Sequence, residues 1–237
     1  KPSIYLFGSV VLEDFKIGWS DIDILCLTNS EITDIQAKQL LNLRQVLLEE
    51  YNNNLYFRLF EGGFLSLNAF INETTDTVVY WGTSGQRITD KYYFDPFSMM
   101  ELLESGRLLY GDELRDKFNY PTKDSIIGAV INHYETIKKY AITTDRSLYS
   151  AGWLLDIARC IYTLRTGEII AKTKAGKWAL DNNLVLDIEV MEKVISIREE
   201  PNKYKNDNEV MKWLETLGEY IQRFADVLEK EILIAKL

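Results

Sequence analysis

Beyond Pro121 the chain repeats apolar residues at spacings of three and four almost to its end, whereas before it short β-type runs surround one strong helical pattern. A 3.6-residue period makes helices with one apolar stripe, and an all-helical stretch can bury those stripes only on one another. The earlier runs need a sheet. This change of period within 237 residues, 46% of them hydrophobic, predicts two domains. Residues 1–115 form an α+β domain, a mixed sheet with flanking helices, and residues 116–237 an all-α helical bundle.

Ser3–Phe7 is a β-type run stopped by Gly8-Ser9, residues 10–20 read as a short helical or loop excursion, and Asp21–Leu27 is a second strand. Thr33 and Gln36 form a capping box that starts a helix through about Glu50. Leu55–Glu61 reads as a third strand broken by Gly62-Gly63, and residues 77–82 as another strand or an edge segment. Asp95-Pro96 gives an N-cap and a first-turn proline, with Gly106 as the stop. Helices follow at 124–140, 147–166 (ended by Gly167), 173–181, 184–199 (ended by Pro201) and 208–235.

The informative constellation is Gly8-Ser9, eleven residues, then Asp21-Ile22-Asp23. Strand side chains alternate, so Asp21 and Asp23 share a face about 7 Å apart while Ile22 enters the core. Two carboxylates so placed repel unless a cation sits between them, and magnesium on nucleotide phosphates suits their hard oxygens. Gly8 lets the backbone approach a phosphate, Ser9 adds a hydroxyl and an N–H, and Ser20 a further hydroxyl. A third acid is needed to activate an acceptor hydroxyl. Glu61, at the end of the third run, could ligate the metal and take that proton.

Gly8-Ser9 with Ser20-Asp21-Ile22-Asp23 before an apolar strand resembles the signature of the DNA polymerase β-like nucleotidyltransferase superfamily. Residues 155–172, LDIARCIYTLRTGEIIAK, and 174–180, KAGKWAL, are similar to the second-domain motif of the aminoglycoside nucleotidyltransferases that modify streptomycin and spectinomycin. The resemblance implies Asp21 and Asp23 as metal ligands, Glu61 as base and further ligand, and Gly8, Ser9 and Ser20 on the triphosphate. It also implies Arg159 and Lys172 on the same phosphates, ATP with two magnesium ions, and an acidic cleft between the domains for the aminoglycoside. Family members usually carry a glycine pair a few residues after Gly-Ser, where this chain has Glu13-Asp14. The segment from Tyr140 to Ser150 lacks the tryptophan and acidic residues that contact streptomycin in that family.

Each assignment has a plainer alternative. Glu61 could pair with Arg58 or a lysine, Arg159 with Asp156 three residues earlier, and Lys172 could be a solvated lysine. His133, the one histidine, receives no role, and Trp153, Tyr162 and Trp178 read as core. Asp145, Glu104 and Asp156 could meet a cationic acceptor but read more simply as a solvated face.

A formal charge of −9 and a pI of 4.8 argue against a nucleic-acid partner, since phosphate backbones are bound by basic faces. No apolar run reaches the roughly 18 residues of a membrane span, and no signal peptide is evident, so a soluble cytoplasmic protein is expected, with a monomer favoured. Cys26 and Cys160 have no partner at CxxC spacing and read as reduced, packed thiols. The function expected is transfer of AMP from ATP to a hydroxyl of an aminoglycoside-type antibiotic. The alternatives are the same chemistry on another small molecule or a protein hydroxyl, or a nucleotide-binding, antitoxin-like module with little turnover.

Overall fold

A computed structural model describes residues 1–83 and 85–237 and divides them into two compact units. The first comprises Lys1–Glu13 and Ser20–Tyr120, the second Asp14–Trp19 and Pro121–Leu237. The chain therefore leaves the first unit after Glu13, re-enters it at Ser20, and changes unit again at Pro121. The excursion at 10–20 is a 3₁₀ turn over Gly8–Val10 followed by turns, and its second half belongs to the helical unit.

In the first unit the strands are β1 (Ser3–Phe7), β2 (Ile22–Thr28), β3 (Phe60–Ser66), β4 (Val78–Gly82), β5 (Gly85–Thr89) and β6 (Arg107–Tyr110). They form one sheet in the order β5-β4-β3-β2-β1-β6, in which β2 and β3 are parallel and the other pairs antiparallel. Helix α1 (Asp34–Glu50) begins with the capping box, the Thr33 hydroxyl accepting from the Gln36 N–H. After it come α2 (Tyr56–Leu59), α3 (Leu67–Asn72) and α4 (Pro96–Ser105), the last capped by Asp95 with Pro96 at its first position.

Both faces of the sheet are apolar. On one, Tyr5, Phe7, Leu25, Leu27, Leu65 and Val78 pack with Phe70 of α3 and Leu102 of α4. On the other, Ile24, Cys26, Phe64 and Trp81 pack with Ala37 of α1, and Ile22 joins this cluster. Alternation along β2 thus sends Ile22 to one face and Asp23 to the other, at the end of the Leu25–Leu27 row. A groove of about 910 Å³ lies between α1 and the Cys26–Trp81 face, and none of Asp21, Asp23 and Glu61 lines it.

The third strand differs from the sequence expectation. Residues 56–59 are a helical turn that Asn54 starts by accepting from the Tyr56 N–H at 3.1 Å, and the strand runs from Phe60 to Ser66. Gly62 and Gly63 continue the strand instead of breaking it. At Gly62, with φ +155°, a Cβ would lie 1.7 Å from the Ile24 carbonyl oxygen, so only glycine lets β2 and β3 approach this closely. Glu61 accordingly begins a strand and does not end one. The segment expected over 77–82 is β4, Val78–Gly82, an interior strand with β5 outside it. The short, largely exposed β5 and β6 carry no period-2 signal and were not expected.

The second unit contains α5 (Lys123–Tyr140), α6 (Tyr149–Thr166), α7 (Lys172–Asp181), α8 (Ile188–Glu199), α9 (Pro201–Tyr204), α10 (Asn208–Leu214) and α11 (Gly218–Ala235). Helix α6 is its centre and buries Leu154, Leu155, Ile157, Ala158, Cys160 and Ile161 against α5, α7, α8 and α11. Each such Leu or Ile contributes about 1.5–3 kcal/mol by leaving water. Gly167 ends α6 in the left-handed conformation. The helix expected over 208–235 is two, interrupted at 215–217, and the second begins at Gly218, where a Cβ would meet the Ile142 carbonyl oxygen at 2.1 Å. Among the described residues no helix is long and apolar enough to cross a membrane. Cys26 and Cys160 are buried free thiols, and burial raises the Cys26 pKa to about 11.

Candidate active site

Strand register brings the carboxylates together. Asp23 stands opposite Phe7 of β1 and, across the parallel ladder, opposite Glu61 of β3, while Asp21 immediately precedes β2. The turn after β1 folds over this end. Gly8 adopts φ +70°, and a Cβ there would lie 2.1 Å from Asp23 Oδ2. The position therefore requires glycine twice, for its backbone and for its bareness. Ser9 Oγ lies 3.5 Å from the Asp21 carbonyl oxygen, and Ser20 is buried beside it in sequence.

Glu61 is held by hydroxyls. Tyr80 donates to Oε1 and Thr83 donates to Oε2 at 3.2 Å. Tyr80 faces Gly63 across the β3–β4 ladder, and the ring of Tyr92 lies against Gly63, where a Cβ would come within 2.9 Å of it. Burial raises the Tyr80 phenol, and the hydrogen bond and charge of Glu61, with the charge of Asp21, raise it further. Burial likewise raises Tyr92, followed by Tyr80 and the charges of Asp23 and Glu61. Both phenols therefore stay protonated, and Tyr80 is the donor to Glu61. Arg44 of α1 is a cation that feels the charge of Glu61. Burial lowers the Arg44 pKa, the charge of Glu61 opposes that, and its guanidinium donates to the Gly82 carbonyl at 3.3 Å.

Among the described residues, no group of three or more His, Cys, Asp and Glu side chains is disposed to hold a metal ion. The carboxylate of Glu61 is turned to Tyr80 and Thr83. What the sheet end offers a hard cation is the Asp21–Asp23 pair, and magnesium commonly takes one or two carboxylates with phosphate and water completing its shell.

In the helical unit, Arg159 and Lys172 meet at Asp156, at 3.7 and 2.9 Å. Burial pushes the Asp156 carboxyl up, but the charges of Lys172 and Arg159 outweigh it and leave the group below the usual carboxylate range. Lys172 is the first residue of α7 and no loop lysine. Trp178 and Tyr162 pack edge to face at 5.1 Å. Asp145 is exposed and accepts from the Ser150 hydroxyl, while Glu104 accepts from Tyr120.

Sequence reasoning missed Tyr80, Thr83 and Tyr92, whose approach to Glu61 depends on strand pairing. It also missed Asp14, which is 5% exposed and fixed within the helical unit. Its carboxylate accepts from the Thr173 hydroxyl at 2.6 Å and N–H at 3.2 Å and faces Arg198 at 3.5 Å.

Residues 1–60 match the family model described as nucleotidyltransferase domain, and residues 121–227 the one described as aminoglycoside adenylyltransferase, C-terminal domain. Among curated proteins none matches the sequence. Among solved structures, spectinomycin adenyltransferase AAD(9) from Enterococcus faecialis, crystallised with ATP and spectinomycin, superposes with a TM-score of 0.64 at 17% identity. The match covers 96% of this chain and 91% of that one, a likeness of fold. A match to a nucleotidyltransferase domain followed by one to an aminoglycoside adenylyltransferase C-terminal domain supports an aminoglycoside nucleotidyltransferase family for this chain.

Proposed function

We propose that this protein transfers AMP from ATP to a hydroxyl of an aminoglycoside-type acceptor, with magnesium. The observation that carries this reading is the register of Asp23 opposite Glu61, with Asp21 just before the same strand, under a turn whose Gly8 leaves no room for a side chain beside Asp23. Asp21 and Asp23 would hold the metal. Bound magnesium, two ions by the family resemblance, supplies positive charge to the triphosphate and the leaving pyrophosphate.

The chain's own groups do the rest. The N–H groups at Gly8-Ser9 and the hydroxyls of Ser9 and Ser20 receive phosphate oxygens. Glu61 takes the acceptor's hydroxyl proton as that oxygen bonds to the α-phosphorus and the bond to pyrophosphate breaks. Tyr80 and Thr83 fix the Glu61 carboxylate while leaving lone pairs for that proton. Arg159 and Lys172 neutralise the β- and γ-phosphates. The acceptor class is supported by the family of residues 121–227 and by the spectinomycin bound to the structural neighbour.

The test is magnesium-dependent pyrophosphate release from ATP with a panel of acceptors including spectinomycin and streptomycin. Asp21→Asn and Asp23→Asn are expected to abolish it with the fold intact, and Glu61→Gln to slow the chemical step by roughly 10² to 10⁴ while ATP still binds. Near-normal transfer by either Asp variant at saturating magnesium overturns the metal site. Absence of transfer to every acceptor, with ATP bound, overturns the acceptor class.

A further inference from the structure

We infer that Asp14 is a positioning residue, fastening residues 14–19 to the helical unit and thereby fixing the loop whose ends, Gly8-Ser9 and Ser20-Asp21, receive the nucleotide. The inference rests on the functional reading above. A surface excursion of this length is ordinarily mobile. This one is built in along its whole second half. Besides the Thr173 and Arg198 contacts, Arg198 donates to the Asp14 carbonyl at 3.2 Å and lies over the Trp19 ring at 5.1 Å. Asn202 donates to the Ile17 carbonyl at 3.1 Å, and Tyr149 donates to the Trp19 carbonyl at 3.4 Å. Trp19 is buried, and Ser20 follows it directly.

Asp14 is the charged centre of this arrangement, and Arg198, its partner, is 3% exposed. A buried ion pair is a poor source of net stability, because desolvation offsets most of its attraction, but it does select one arrangement over its competitors. The selected arrangement matters here for two reasons. Thr173, which binds Asp14, adjoins Lys172, and the same carboxylate that pins the loop therefore pins the start of α7. The loop's far end is Ser20-Asp21. If the loop were loose, ATP would have to order it on binding, and the apparent affinity would fall by the fraction of time the loop is correctly placed.

Calorimetry with ATP and magnesium, together with hydrogen exchange of residues 8–13 and 20–21, tests this on the full chain. Asp14→Asn keeps an acceptor for Thr173 but loses the charge facing Arg198. It is expected to raise the Kd for ATP about tenfold, the result of a loop correctly placed about a tenth of the time, and to speed exchange at both loop ends. Thr173→Val should show a smaller change in the same direction. Glu231→Gln removes another largely buried carboxylate of this unit, bound by Arg165 at 2.6 and 2.8 Å, and serves as the structural control. It should lower thermal stability yet leave Kd and loop exchange within twofold of wild type. Unchanged Kd and exchange in Asp14→Asn, or equal changes in Glu231→Gln, overturn the inference. If wild type does not bind ATP the functional reading falls, and the exchange result still decides whether Asp14 fixes the loop.

Discussion

Replacing Gly8 by alanine adds one methyl group, and the structure says where it goes. The new Cβ would sit 2.1 Å from Asp23 Oδ2 and 2.8 Å from its Cγ, well inside contact distance. Holding φ at +70° with a side chain costs about 1–2 kcal/mol. Moving the Asp23 carboxylate off its preferred rotamer costs about 0.5–1.5 kcal/mol more. The fold should therefore lose roughly 2–3 kcal/mol in urea denaturation, and pyrophosphate release should fall by about 10², the scale of a 1 Å misplacement of a reacting or ligating group. Gly128→Ala is the matched control. It lies within α5 with nothing within 4 Å of its Cβ position and no unusual backbone, so alanine should stabilise it by about 1 kcal/mol and leave turnover alone. In an Asp23→Ala background the cost of Gly8→Ala should shrink to the backbone term, a coupling of about 1 kcal/mol. A Gly8→Ala variant as stable and active as wild type, or a cost unchanged without Asp23, refutes the packing of the turn on that carboxylate.

Arg159→Ala and Lys172→Ala should weaken ATP binding beyond the roughly 0–1 kcal/mol of an exposed ion pair while sparing AMP, measured calorimetrically; equal small losses for both nucleotides would remove these residues from the triphosphate. Gly62→Ala sets a Cβ 1.7 Å from the Ile24 carbonyl oxygen and should force β2 and β3 apart, costing both stability and turnover; a variant within about 0.5 kcal/mol of wild type in denaturation would contradict that register. Glu113 is held down to about 2, first by hydrogen bonds from Arg115, so its folded-state pKa lies below its unfolded one. Its stabilisation is complete above about pH 4.5 and fades as pH falls toward 2, and Glu113→Gln should flatten that part of the pH–stability curve; solvent screening keeps the effect under about 1 kcal/mol.

The elements legible in the sequence are those whose cause is local. Thr33 and Gln36 cap α1, Asp95-Pro96 opens α4 and Gly167 closes α6, each through atoms a few residues apart. The errors share the opposite character. Gly62-Gly63 reads as a breaker until the Ile24 carbonyl is known to press on it. The helix over 208–235 reads as unbroken, and nothing local marks Gly218 as the residue packed against the Ile142 carbonyl. In both places a glycine answers a backbone distant in sequence, and no periodicity records that demand.

The candidate site divides in the same way. Asp21 and Asp23 were legible because strand alternation and like-charge repulsion argue for them directly. Glu61 was legible only as a chemical need, and its setting was not, since Tyr80 and Thr83 reach it through the pairing of β3 with β4. Glu13-Asp14 is a pair whose two residues the structure treats differently. Glu13 keeps a left-handed φ of +59°, a conformation glycine adopts without the roughly 1–2 kcal/mol it costs an L side chain. Asp14 buries a carboxylate among partners 159 and 184 residues away. A carboxylate to which local sequence gives no role acquires its meaning from Thr173 and Arg198.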